Sequence, residues 1–107
     1  MMDILQQPKR FQVWHIPQIP GEAFEIEASS PELGAFVMET LAKYDEFQYR
    51  HRVKPDYSSA QGLNEWDPER QEWLTWYDND GNDIEELRLT IDVMGNMSLV
   101  PYDDEEE

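Results

Sequence analysis

Ser29–Tyr44 reads SSPELGAFVMETLAKY, and its spacing decides the fold. Ser29 and Ser30 offer an N-cap, Pro31 suits a first helical turn, and Glu32 sits three residues after Ser29 as in a capping box. Leu33, Val37, Leu41 and Tyr44 then recur at helical intervals with Phe36 flanking them, which predicts a helix over about residues 31–44 with one apolar stripe. A single striped helix needs a sheet face to cover.

The flanking sequence supplies that sheet. Before the helix, 23–28 alternates Phe24, Ile26 and Ala28 against Glu25 and Glu27, and 10–16 (RFQVWHI) is rich in aromatic and β-branched residues. The Pro- and Gly-bearing loop 17–21 joins the two as an N-terminal hairpin. After the helix, Phe47, Tyr49, His51 and Val53 alternate with Gln48, Arg50, Arg52 and Lys54, which reads as a further strand ending at Pro55. A polar loop is expected over 55–62, then a hairpin of 63–67 and 72–77 around a Pro-containing turn. DNDGND (78–83) is a turn. Leu87, Leu89, Ile91 and Val93 alternate against Arg88, Thr90 and Asp92, so 87–93 reads as a strand, although Ile84, Leu87 and Ile91 also fit a short helix. Gly95-Asn96 turns the chain into 97–102. The expected class is α+β: one α-helix packed on an antiparallel β-sheet, with an N-terminal extension (1–9), one domain (10–102) and an acidic C-terminal tail (103–107).

Charge is distributed unevenly over this body. Of 24 acidic residues, 15 fall between Glu65 and Glu107, opposed only by Arg70 and Arg88, so that segment stands at −13 of the total −16. Such a field repels nucleic acid and anionic membrane and attracts basic protein surfaces. Cysteine is absent, which excludes disulfides, thiolate zinc sites and a cysteine nucleophile. Neither a signal-peptide-like apolar run nor a stretch of membrane-span length is present, and a soluble cytoplasmic protein is expected.

Nothing in the motifs names a reaction. DNDGND has alternating oxygen ligands, but counting from Asp78 its glycine is at position four and Leu89 stands at position twelve, against the six and twelve of a calcium loop. His15 and His51 lack any HExxH or GxSxG context, and both sit beside aromatics where a structural histidine is the ordinary case. No catalytic residue, metal or cofactor is expected. Lys43, Arg50, Arg52 and Lys54 form a small basic cluster better suited to internal ion pairs than to phosphate. Trp66, Trp73, Trp76 and Tyr77 crowd into twelve residues; along a strand Trp73 and Tyr77 share one face, Leu74 and Trp76 the other. One face should meet the helix, leaving large aromatics ringed by acid, the composition of a binding hot spot. The candidate partner-binding residues are therefore Trp66, Trp73, Trp76 and Tyr77 with Asp78, Asp80, Asp83, Glu85 and Glu86. Two modes are open: an aromatic anchor with acidic steering, or carboxylates imitating duplex phosphates to fill a nucleic-acid-binding groove.

The strings PKRFQVWHIPQIPGEAFEIEASS, LAKYDEFQ, VKPDYSSAQGL and EWLTWYDNDGNDIEE resemble a family of small acidic phage and prophage proteins associated with superinfection exclusion. The likeness covers about residues 8–86 and transfers no catalytic or ligand residue. It implies a phage accessory protein acting in the host cytoplasm on a host or competing-phage component. With the acidic flank, the surplus aromatics and the lack of a catalytic constellation, the expected function is non-enzymatic inhibition of a host, defence or competing-phage protein that is basic or binds nucleic acid. The remaining alternative is a metal-dependent activity of His15 or His51 with carboxylates.

Overall fold

The computed structural model describes residues 9–52 and 59–102. Strand β1 (Phe11–Ile16) pairs antiparallel with β2 (Phe24–Ala28), closing the predicted N-terminal hairpin. Helix α1 (Pro31–Arg50) follows, then β3 (Ala60–Asp67) and β4 (Glu72–Thr75). These four strands form one antiparallel sheet in the order β2-β1-β3-β4. A one-turn 3₁₀ helix (Ile84–Glu86) leads into β5 (Leu87–Ile91), which pairs with β6 (Met97–Pro101) as a separate two-stranded sheet. The α+β class predicted from the sequence is the one observed.

Alternation along β1 sets the layers. Phe11, Val13 and His15 are buried, while Gln12, Trp14 and Ile16 between them are half-buried. The helix lies on the first set. A Cβ added to Gly34 would meet Leu63 Cδ1 at 2.8 Å and Val13 Cγ2 at 3.6 Å, so the glycine lets the helix backbone approach the sheet centre closely. Val13 is 0% and Leu63 2% exposed, and with Phe11, Ala35, Met38, Trp76, Ile84 and Leu87 they form the core. Burying side chains of this size contributes roughly 1.5–3 kcal/mol each.

Ser30 is the N-cap: its Oγ accepts from Leu33 N–H at 3.1 Å, and Pro31 opens the first turn. The C-terminal end corrects the sequence reading. The predicted strand 47–53 is instead the last turn of α1 through Arg50, with the chain turning at His51 and Arg52; Val53 lies outside the described residues. The alternation there had a second meaning. Phe47 and His51 are also four apart, and on the helix their rings stack at 4.1 Å, while Glu46 and Arg50 form an i,i+4 pair at 2.6 Å. Nothing from Asp45 to Arg50 breaks a helix, so it runs on until Arg52 turns to φ +63°.

The apolar stripe is displaced too. The buried helix positions are Gly34, Ala35, Met38 and Asp45, whereas Leu33, Val37 and Leu41 are half-buried and Tyr44 is exposed. Small residues mark the line of closest approach, and the larger ones flank it. The predicted loop 55–62 is also shortened: residues 55–58 lie outside the described ones, and β3 starts at Ala60. Gly62 belongs to that strand because Trp14 lies over it; an added Cβ would stand 2.6 Å from the indole.

The second hairpin turns at Asp67, whose Oδ1 accepts from the Glu69 and Arg70 N–H groups, with Gln71 at φ +59°. β4 ends at Thr75 rather than at Tyr77: Trp76 N–H bonds Leu63 O, and Tyr77 makes an isolated bridge to Asp83. Both readings of 84–93 hold a part. Residues 84–86 are helical under a capping box of Asp83 and Glu86, and the strand begins at Leu87 but stops at Ile91, short of Val93. The acidic tail 103–107 lies outside the described residues.

Candidate functional site

The face of the four-stranded sheet turned away from α1 carries the aromatic side chains. Trp14 is directly opposite Gly62, and Trp66 directly opposite Trp73, so all three indoles share this face. Trp66 and Trp73 meet edge to face with centroids 5.2 Å apart, a preferred aromatic geometry. Both are half-buried.

Arg10 ties the surface together. Its guanidinium carbon is 5.2 Å from each of the two ring centroids, and it donates to Glu27 on β2 through Nε at 3.2 Å and Nη2 at 2.6 Å. The hydrogen bonds from Arg10 hold the Glu27 carboxyl below its ordinary value, and Glu27 raises the Arg10 guanidinium in turn. One side chain at the start of β1 thus spans the open face from β2 to β4. The indoles thus use part of their surface on a cation of the same chain.

The other sequence candidates divide. Trp76 is a correction: at 9% exposure it is a core residue. It follows Thr75 in register opposite Leu63, its N–H bonded to Leu63 O, and so falls on the helix side with Ile84 and Leu87. Tyr77 is exposed, at the bridge to Asp83 rather than among the tryptophans. Asp78 is committed to its own turn. Its Oδ1 accepts from Asp80 N–H at 2.9 Å and Asn82 N–H at 2.8 Å, which lowers its pKa, the Asn82 N–H being the largest cause. Asp83 Oδ1 accepts from Glu85 N–H, and Glu86 Oε1 accepts from Asp83 N–H, so these two carboxylates cap the 3₁₀ turn. Asp80 and Glu85 are exposed.

Asp92 repeats the Asp78 arrangement. It accepts from Met94 N–H and Asn96 N–H, both at 2.9 Å, with the same direction of pKa shift and Asn96 N–H as its largest cause. In each turn the fourth residue is a glycine at positive φ, Gly81 at +85° and Gly95 at +88°. The signal was in the text: Asp-x-x-Gly-Asn occurs at 78–82 and again at 92–96.

A buried polar triad was not foreseen in the sequence. His15 Nε2 lies 2.7 Å from Asp45 Oδ2, and Nδ1 lies 2.8 Å from Gln61 Oε1. His15 is 3% and Asp45 2% exposed, so the triad pins α1 to β1 and β3. Both ring nitrogens are taken by protein groups, leaving neither to ligate a metal or accept a substrate proton. His51 is at the helix end, its Nδ1 2.9 Å from Phe47 O. Among the described residues no group of three His, Cys, Asp or Glu side chains is placed to hold a metal ion, and no helix is long and apolar enough to cross a membrane. The basic cluster is dispersed as well: Arg50 pairs with Glu46 on its own helix, and Lys54 lies outside the described residues.

Fold and surface define a small acidic α+β domain with three half-buried indoles on the sheet face turned away from α1. The family described as "Superinfection exclusion gene product 17" matches residues 10–96, and the chain belongs to it. It is 39% identical over 79 residues to the superinfection exclusion protein of Salmonella phage P22, an alignment covering 64% of this chain and 77% of that protein. No solved structure matches. The family region takes in β1 through the turn after β5, and therefore every tryptophan, the His15–Asp45–Gln61 triad and both Asp-x-x-Gly-Asn turns.

Proposed function

We propose that this phage protein acts in superinfection exclusion without catalysis, by binding a host, defence or competing-phage protein through the open sheet face. The observation that carries this reading is the Trp66–Trp73 pair, edge to face at 5.2 Å on a face that α1 does not cover. Trp and Arg are the residues most enriched at binding hot spots, and here Trp66, Trp73 and Arg10 are contiguous. The −13 of the C-terminal segment raises the encounter rate with a basic partner, and the indoles supply the desolvated contact. Its site of action under this reading is the host cytoplasm.

The alternative is duplex mimicry by the acidic half. Its support is the charge itself. Against it, the carboxylates of Asp78, Asp83, Glu86 and Asp92 bond their own backbone turns, so their geometry follows loop closure rather than phosphate spacing. A metal-dependent activity has the least support, since both nitrogens of the buried histidine are occupied.

Affinity capture from host lysate with wild-type protein and with the Trp66→Ala/Trp73→Ala variant, read by mass spectrometry, tests the proposal. One stoichiometric protein retained by the wild type and lost with the variant is expected. Recovery of many nucleic-acid-binding proteins, displaced by DNA and indifferent to the variant, would transfer the function to mimicry.

A further inference from the structure

A second surface lies on the opposite side of the sheet, where the helix fails to cover β2. Phe24 and Ile26 pair with His15 and Val13, so they point to the helix side. Ala28 on the same strand is buried, yet Phe24 is 51% and Ile26 41% exposed. The cause is the path of α1. It leaves the sheet edge just after Ala28 and crosses towards β1 and β3, where Asp45 meets His15, whose other ring nitrogen bonds Gln61. The far half of β2 is left bare. Between it and the helix flank runs a groove of about 300 Å³ lined by Pro17, Phe24, Leu41, Tyr44 and Gln48, with His15 and Asp45 at its floor. Leu41 and Tyr44 belong to the apolar stripe that marks the helix in the sequence, so part of that stripe lines this groove, Leu41 packing against the core as well.

β2 is also an edge strand. Its outward N–H and C=O groups have no neighbouring strand among the described residues. The sequence FEIEA has neither lysine nor proline on this edge; its protection is the two glutamates, whose charge opposes an acidic strand and admits a basic one. A free edge beside an apolar groove is the geometry of β-strand addition, in which main-chain bonds give affinity and alternate side chains give specificity.

We infer that the β2 edge and its groove take an extended segment of a partner protein in which apolar residues alternate with basic ones. Apolar side chains would enter the groove beside Phe24 and Ile26. Basic ones would fall on the other face, beside the exposed carboxylate of Glu25, Glu27 being already held by Arg10. Charge excludes a second copy as the occupant. Two β2 strands paired about a twofold axis would set Glu25 and Glu27 of each copy against the other, and each chain carries −16 besides. This surface is distinct from the tryptophan face and stands or falls apart from it.

The test uses the full chain and a short labelled synthetic peptide alternating lysine with valine and phenylalanine, followed by fluorescence anisotropy at low salt. Comparison peptides hold the same residues in block order, or carry N-methyl groups on one or the other alternate set of amides. Block order, and one of the two methylated sets, should each bind about tenfold more weakly. Phe24→Gln or Ile26→Gln should lower affinity for the alternating peptide about tenfold, with the melting temperature checked for each, while Trp66→Ala/Trp73→Ala leaves it unchanged. Equal binding of the block-order peptide would reduce the site to bulk charge and overturn the inference. So would indifference to both glutamine variants. A sedimentation dimer broken by Ile26→Gln would make a second copy the occupant, and a gain in peptide affinity on removing residues 1–8 would make it the chain's own N-terminus; either result also overturns the inference.

Discussion

The two faces of the four-stranded sheet are built from the same strands, one residue out of phase, and they do opposite work. On the helix side Phe11, Val13 and Leu63 are sealed under Gly34, Ala35 and Met38. On the other side Trp14, Trp66 and Trp73 remain half-buried, the last two under an Arg10 guanidinium held by Glu27. Medium-sized aliphatics fill the closed face because a helix must approach it closely. The largest rings are on the face with no helix to accommodate. Substitutions should therefore separate stability from partner binding according to the face they touch.

The largest effect on stability is expected on the closed face. Leu63→Ala removes a buried side chain under the helix and should cost about 2–5 kcal/mol in denaturant unfolding, with partner affinity per folded molecule unchanged. A cost below about 0.5 kcal/mol would mean that the helix does not seal this face. Next comes the polar pin through the same face. Asp45→Ala leaves His15 buried without one of its two partners and should cost about 1–3 kcal/mol. Full stability in that variant would detach the triad from the account.

Acid should separate the turns from the core more gently. The Asp78, Asp92 and Glu27 carboxyls are all held below their ordinary values in the fold. A group depressed on folding contributes stability above its unfolded pKa and loses it as pH falls through the folded one. Stability should thus be level near neutrality and decline as pH falls through and below the ordinary values of 3.8 for Asp and 4.5 for Glu. Asp92→Asn should flatten that decline slightly in an acid titration followed by circular dichroism. An unchanged profile in Asp92→Asn and in Asp78→Asn would show that the turns do not hold their carboxylates. The smallest expected effect is none: a chelator should leave Tm unmoved, and a fall that calcium or zinc restores would reveal a metal site.

How much of this was legible follows from how local each signal is. The N-terminal hairpin, the capped start of α1 and the strand from Leu87 rest on neighbours in sequence, and all were readable. The end of α1 was not, because Phe47 and His51 satisfy a strand period and a helix period at once. Only the tertiary pin at Asp45 and the unbroken run to Arg50 choose between them. The core line of the helix was also hidden, since Gly34 and Ala35 are buried for being small, a property that hydrophobic periodicity ignores. Of the candidate surface, alternation already set Trp73 and Trp76 on opposite faces, but which face meets the helix follows only from the register that puts Trp76 opposite Leu63. Which carboxylates are free for a partner depended on turns that turn Asp78, Asp83, Glu86 and Asp92 inward to their own backbone.

The central claim is that the tryptophan face binds a protein while the part of the other face sealed under α1 holds the fold. Its most direct test is the plating efficiency of a superinfecting phage on cells expressing the wild type, Trp66→Ala or Trp73→Ala, with each variant's melting temperature measured in parallel. The account predicts that the tryptophan variants stay folded and lose exclusion, matching a loss of about 2 kcal/mol or more in partner affinity. Folded variants that exclude as well as the wild type would contradict it.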